Sequence, residues 1–116
     1  MSESEREWRF YLEDMLRCGE RVLEYTRGLD QAGFVADALK YDATLRNLEL
    51  IGEAATHIPQ EVRQASPEIP WRMIIATRNR LIHGYLGIDD DVLWSIIQMD
   101  IPSLLVALRR LLESQS

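Results

Sequence analysis

The sequence predicts an all-α fold, an antiparallel bundle of four main helices plus one short helix. Apolar residues recur at intervals of three and four along most of the 116 residues, and no stretch shows the alternation typical of strands. Glycine, proline and capping residues separate the periodic stretches. The length predicts one domain over residues 1–116, and a hydrophobic content of 47% is enough for a core.

The first two helices are predicted from their stop and start signals. The first runs from Glu3 to about Arg27, because Gly28 follows the last residue of its apolar stripe. Asp30 is a candidate N-cap for a second helix, from about Ala32 to His57. A short turn joins these helices, so we expect them to lie antiparallel.

Prolines divide the second half of the chain. Pro59 ends the second helix, and residues 60–66 have room for one or two helical turns. Pro70 suits the first position of a third main helix, which Gly84 and Gly87 end. The last helix starts at the acidic triplet 89–91 and runs to about Glu113, with a kink expected at Pro102.

Composition indicates a cytoplasmic protein. The sequence starts with no charged-then-apolar leader and shows no apolar run of about 18 residues, so neither export nor a membrane partner is expected. The single cysteine, Cys18, is predicted to be a small buried residue. Together with His57 and His83 it makes too few ligands for a structural zinc site, so we expect no metal and no cofactor.

Charge alone argues against tight nucleic-acid binding, because the net charge is −6. Residues 57–88, however, carry four arginines and two glutamates, a local balance of +2. A local arginine cluster on an acidic body suits brief contact with a few phosphates.

The stretch from Trp71 to Tyr85 combines an apolar face with polar groups. Arg78 lies in the middle of a helical stripe, and Asn79 and His83 stand one turn apart at its edge; the stripe is formed by Trp71, Ile74, Ile75, Leu81, Ile82 and Tyr85. Two interpretations are open. In the first, Arg78 is a structural arginine bonded to a carboxylate such as Glu53, and His83 is a half-exposed histidine that caps carbonyls at the helix end. In the second, Arg78 and His83 belong to one site.

Sequence motifs favour the site. The segment RNRLIHGY resembles the R-x4-H-x-Y signature of the HepT-like branch of HEPN-domain ribonucleases, the toxin halves of toxin–antitoxin pairs. The upstream segments NLELIGEA and PEIPWR match that family in order and spacing, and the resemblance covers roughly residues 6–113.

The resemblance implies an RNA-cleaving homodimer whose motifs face each other. It implies His83 as general acid/base and Arg78 as the group that stabilises charge on the phosphate. Asn79 would orient His83 or the phosphate, and Glu53 would pair with Arg78. Tyr85 would receive AMP from a minimal nucleotidyltransferase antitoxin.

Three further points concern Arg80, the tryptophans and the function as a whole. Arg80 either touches RNA or is solvated. The three tryptophans are expected in the core and not as base-stacking platforms. The alternative function is a non-catalytic helical partner of a nucleotidyltransferase, against which the Arg78–His83 pair argues, because a pure binding partner does not need it.

Overall fold

In the computed structural model, which describes residues 2–83 and 88–114, helices account for most of the chain and no strand is present in those ranges. The all-α fold class is therefore confirmed. The described residues form seven α-helices: α1 (Glu3–Thr26), α2 (Gln31–Ala36), α3 (Ala38–Thr56), α4 (Gln60–Ala65), α5 (Trp71–His83), α6 (Asp90–Ser95) and α7 (Ile101–Ser114).

The core lies between α1 and the helices packed on it. Helix α1 contacts α3 and α7, and α5 packs on α3. Helix α7 runs opposite to α1, because the Arg9 side chain donates to the Leu112 carbonyl at 3.0 Å while Gly19 faces Ile101 and Leu105. The inner faces supply the least exposed side chains, among them Leu12, Met15, Val22, Ile97 and Leu108.

The predicted second helix is divided, which corrects the expectation of one continuous helix over residues 32–57. At Asp37 the backbone takes φ −95° and ψ 91°, so α2 ends and α3 begins there. The Asp37 carboxylate accepts a hydrogen bond from the Lys40 backbone N–H at 3.1 Å, and its own N–H bonds to the Phe34 carbonyl. Asp37 thus ends one helix and caps the next.

Other boundaries agree with the sequence. Gly28 has φ 77° just beyond α1, which is the left-handed conformation that glycine tolerates. Helix α4 occupies the stretch expected to form one or two turns, and Cys18 is 1% exposed. Asp89 caps α6 by accepting from the Asp91 backbone N–H at 2.7 Å.

A π-helical turn, Ile96–Asp100, joins α6 to α7, in which Pro102 is the second residue. The Ile101 N–H donates to the Ile96 carbonyl five residues back. Pro102 has no N–H, so the wider turn lies where the proline would otherwise interrupt a regular helix. By length and composition alone, the helical run Asp90–Ser114 is apolar enough to cross a membrane, which corrects the expectation that the sequence contains no apolar run of about 18 residues. Here its inner face packs against the core.

Candidate functional site

Helix α5 carries Arg78, Asn79 and His83 and is anchored at its first residue. The Trp71 indole N–H donates to the buried Ser66 carbonyl at 3.1 Å, and the Trp71 ring is 7% exposed. Trp71, Ile74 and Leu81 form the buried face of α5. Ile82, expected on the same apolar stripe, is 44% exposed in the single chain. The face that α5 buries is therefore narrower than the sequence suggested.

Helix α5 crosses α3 at the point where Arg78 lies against Gly52. A Cβ atom placed on Gly52 would lie 2.1 Å from the Arg78 Cβ and 3.0 Å from the Ile74 carbonyl oxygen. Both neighbours belong to the rigid part of α5, so neither could move aside without moving the helix. The absent side chain at position 52 is what lets α5 approach α3 this closely. The glycine of the NLELIGEA segment thus positions the stem of Arg78.

The Arg78 guanidinium is held by two neighbours. Its Nη2 donates to Glu53 Oε2 on α3, and its Nη1 donates to Asn79 Oδ1 at 2.9 Å. The side chain is 27% exposed. Its Nε atom is buried and has no hydrogen-bond partner among the described residues. The guanidinium is therefore fixed in direction while part of it still faces solvent.

Glu53 extends the arrangement to the second histidine. Its Oε1 lies 3.7 Å from His57 Nε2 one turn along α3. The His57 ring stacks on Tyr11 of α1, with ring centroids 4.4 Å apart and planes 12° apart. From the sequence alone, His57 is considered only as a possible metal ligand. The i, i+4 spacing of Glu53 and His57 was the signal that could have linked them.

Of the remaining predicted residues, Asn79, Arg80 and His83 lie in the last turns of α5. Asn79 and His83 are four residues apart on the exposed side of the helix, and His83 is the last helical residue. Arg80 is exposed and takes part in an interaction within the protein. Tyr85, with Gly84 and Gly87, lies outside the described residues. The structure thus brings together Arg78, Asn79 and Glu53, with His83 one turn further on.

Chemically, this arrangement offers an oriented cation and a titratable ring on one helix. A guanidinium presents fixed donors to phosphate oxygens, and an imidazole can both accept and donate a proton. Within residues 2–83 and 88–114, no three His, Cys, Asp or Glu side chains are grouped so that they could hold a metal ion. The groups present suit charge stabilisation and proton transfer at a phosphodiester.

Two comparisons with known proteins identify relatives of this chain. The family model described as "Ribonuclease HepT-like" matches residues 15–111. "Probable ribonuclease HepT" of Thermococcus cleftensis is 44% identical over 94 residues, which are 81% of this chain and 86% of that protein. "Putative RNase MJ1380" of Methanocaldococcus jannaschii is 37% identical over 101 residues, 87% of this chain and 93% of that protein.

A comparison with solved structures gives no significant match. The family match nevertheless covers most of the chain, and it includes the Gly52–Arg78 crossing and the end of α5. The chain belongs to the HepT-like ribonuclease family.

Proposed function

We propose that this protein is a metal-independent endoribonuclease that cleaves RNA with Arg78 and His83. The observation that carries the proposal is the fixed Arg78 guanidinium, which lies on the same helix as His83. Glu53 of α3 and Asn79 of α5 hold this guanidinium in place. Fixed donors directed at a place where charge develops cost no reorganisation during the reaction. Family membership supports the same activity, because the relatives quoted above carry ribonuclease names.

The reaction uses the nucleophile that RNA itself carries. A base removes the proton from a 2′-OH, whose oxygen attacks the adjacent phosphorus and forms a 2′,3′-cyclic phosphate. The bond to the 5′-oxygen breaks, and an acid gives that oxygen a proton. Arg78 stabilises the extra negative charge on the phosphoryl oxygens, and His83 carries the proton steps.

Two proton transfers favour a composite site. Each chain supplies one motif histidine, so a homodimer with facing α5 ends would supply a base from one protomer and an acid from the other. The exposure of Ile82 beside His83 supports this, because an apolar side chain at the end of α5 would be covered by a partner.

The catalytic test compares variants on a defined single-stranded RNA. His83→Ala should abolish cleavage, and Arg78→Ala should lower the rate by roughly 10²–10³-fold. Circular dichroism should show unchanged helix content in both. EDTA should leave the wild-type rate unchanged. Full cleavage by His83→Ala would overturn the assignment, and an inactive but RNA-binding wild type would favour the non-catalytic function instead.

We further propose that the protein is a toxin controlled at Tyr85 by a minimal nucleotidyltransferase antitoxin. The motif places Tyr85 seven residues after Arg78, close in sequence to the end of α5. An adenylyl group there would add a negative charge that Arg78 attracts, and its bulk would obstruct RNA.

The proposed regulation at Tyr85 is tested by measuring the mass of the protein and its cleavage activity. Wild-type protein incubated with the antitoxin and ATP should gain adenylyl groups and lose cleavage activity. Tyr85→Phe should keep cleavage, gain no mass and escape inhibition. Equal inhibition of Tyr85→Phe would mean that the antitoxin acts by covering the site.

A further inference from the structure

A surface groove lies between α4 and α5 beside the Arg78 site. Its volume is about 430 Å³, within the range of small-ligand sites, and it is open to solvent. Helix α4 supplies Gln60, Arg63 and Gln64 on one side, and α5 supplies Arg72, Ala76 and Asn79 on the other.

The charged side chains that line the groove are positive, on a protein of net negative charge. Among the described residues that line it, the ionisable ones are Arg63 and Arg72, and none is acidic. The whole chain carries −6. Arg63 is held in place, because its Nε donates to the Ile58 carbonyl at 2.9 Å and its Nη2 to the Thr56 carbonyl at 3.2 Å. A fixed cation on an acidic protein favours an anionic occupant.

Asn79 joins the groove to the candidate catalytic residues. It lines the groove and also accepts the hydrogen bond from Arg78 at 2.9 Å. Arg72, Ala76, Asn79 and His83 follow one another at intervals of three and four, so they form one line on α5. From Arg72 to His83 this line covers about 16 Å of helix. An extended single strand of RNA that lies in the groove would therefore reach His83.

The groove lining suits a nucleotide better than a simple anion. The side-chain amides of Gln60, Gln64 and Asn79 both donate and accept hydrogen bonds, which is what the edge of an unpaired base requires. The partly buried Ile75 offers apolar surface for a sugar or a base. Trp71 forms the floor and is too buried for a base to stack on its face.

We infer that the groove between α4 and α5 binds the nucleotide of single-stranded RNA next to the one being cleaved. Arg72 contacts its phosphate, and Gln64 contacts its base. The inference rests on the proposed ribonuclease function and adds to it a site that selects single-stranded substrate and holds it in register.

The test measures binding and cleavage separately. Binding uses a fluorescent RNA oligonucleotide with a 2′-deoxy residue at the cleavage position, titrated at several salt concentrations. Arg72→Ala should weaken binding roughly tenfold. It should also reduce the slope of log K against log salt by about 0.7, the value for one contact to a single-stranded phosphate. Gln64→Ala should change the preference among the four bases at one position, with the salt slope unchanged.

Arg110→Ala is the matched control, because Arg110 is an exposed arginine on α7 that does not line the groove. It should bind and cleave as wild type does. The inference is wrong if the wild type cleaves RNA while Arg72→Ala and Gln64→Ala match it in affinity, salt slope and base preference. A wild type that neither binds nor cleaves any RNA would instead overturn the proposed function, and the groove assignment with it.

Discussion

Arg78 shows how one charged residue is tolerated against an apolar helix face. A buried charge without a partner costs about 3–5 kcal/mol, and Arg78 avoids this through Glu53, Asn79 and partial exposure. Glu53 is itself 47% exposed, so solvent screens the ion pair. We therefore expect the pair to direct the guanidinium more than to stabilise the fold.

Glu53→Gln tests that division of roles. It should lower cleavage by roughly ten- to a hundredfold, mainly in kcat, because a misdirected guanidinium loses contact with the developing charge. The free energy of unfolding in urea should change by less than about 1 kcal/mol. Glu49→Gln is the control, since Glu49 also lies on α3 and pairs with Arg46 at 3.4 Å, away from Arg78. Equal kcat values for the two variants would contradict a positioning role.

At the scale of elements, two glycines allow close helix packing, but with different neighbours. A Cβ on Gly52 would meet the Arg78 Cβ at 2.1 Å and the Ile74 backbone oxygen at 3.0 Å. A Cβ on Gly19 of α1 would meet the Leu105 Cδ2 of α7 at 2.6 Å, and that methyl group is the end of a flexible side chain. The α3–α5 contact therefore has less freedom to adjust than the α1–α7 contact.

We expect Gly52→Ala to destabilise the protein by about 1–3 kcal/mol, because α5 must shift away from α3. The shift should also displace Arg78 and reduce cleavage. Gly19→Ala should cost less, since Leu105 can change rotamer. Urea unfolding of both variants gives the comparison. A Gly52→Ala protein as stable and active as wild type would show that the α3–α5 crossing is looser than its geometry indicates.

Helices α3 and α6 are linked by a phenol and a carboxylate. The Tyr41 hydroxyl donates to Asp90 Oδ1 at 2.7 Å. Burial, together with this hydrogen bond and the negative charge of Asp90, raises the pKa of Tyr41 to about 12 from its ordinary value of 10.0. The acidic triplet at the start of α6 thus also fastens that helix to α3.

This link predicts a loss of stability at alkaline pH. Because the folded-state pKa lies above the unfolded value, the contribution of Tyr41 is complete below pH 10.0 and disappears as pH rises through about 12. Phenolate absorbance of the folded protein should show a step near pH 12 that belongs to Tyr41. Tyr41→Phe should remove that step, and Tyr25→Phe should keep it. Persistence of the step in Tyr41→Phe would assign it to another tyrosine.

For the whole molecule, the principal expectation is a homodimer with more than about 1,000 Å² of buried surface around Ile82. Light scattering should give twice the chain mass at micromolar concentration, and Ile82→Glu should give the monomer mass with little activity.

A mixed dimer of wild-type and His83→Ala chains tests the composite site. It should be nearly inactive if both histidines serve one reaction, whereas half the wild-type rate would indicate two independent sites.

The fold could be predicted from sequence where periodicity and stop signals agree, as for α1, α4 and the burial of Cys18. The division at Asp37 was not predicted, because an aspartate is tolerated within a helix and caps a new one only when the backbone turns. The contact of Arg78 with Glu53 was anticipated as one of two interpretations. The α4–α5 groove depends on how a six-residue helix lies against α5, which local sequence does not determine.

The close contact between α3 and α5, where Arg78 lies against Gly52, has a genetic consequence. If the chain is toxic, a selection for colonies that survive its expression should recover two physically distinct groups of alleles. Changes at codon 83 should yield soluble, accumulated protein that no longer cuts RNA. Changes at codon 52 should yield little protein, because the same contact that aims the arginine also joins two helices. Immunoblots of the survivors would then separate residues that act only in the chemistry from those that the fold and the chemistry share.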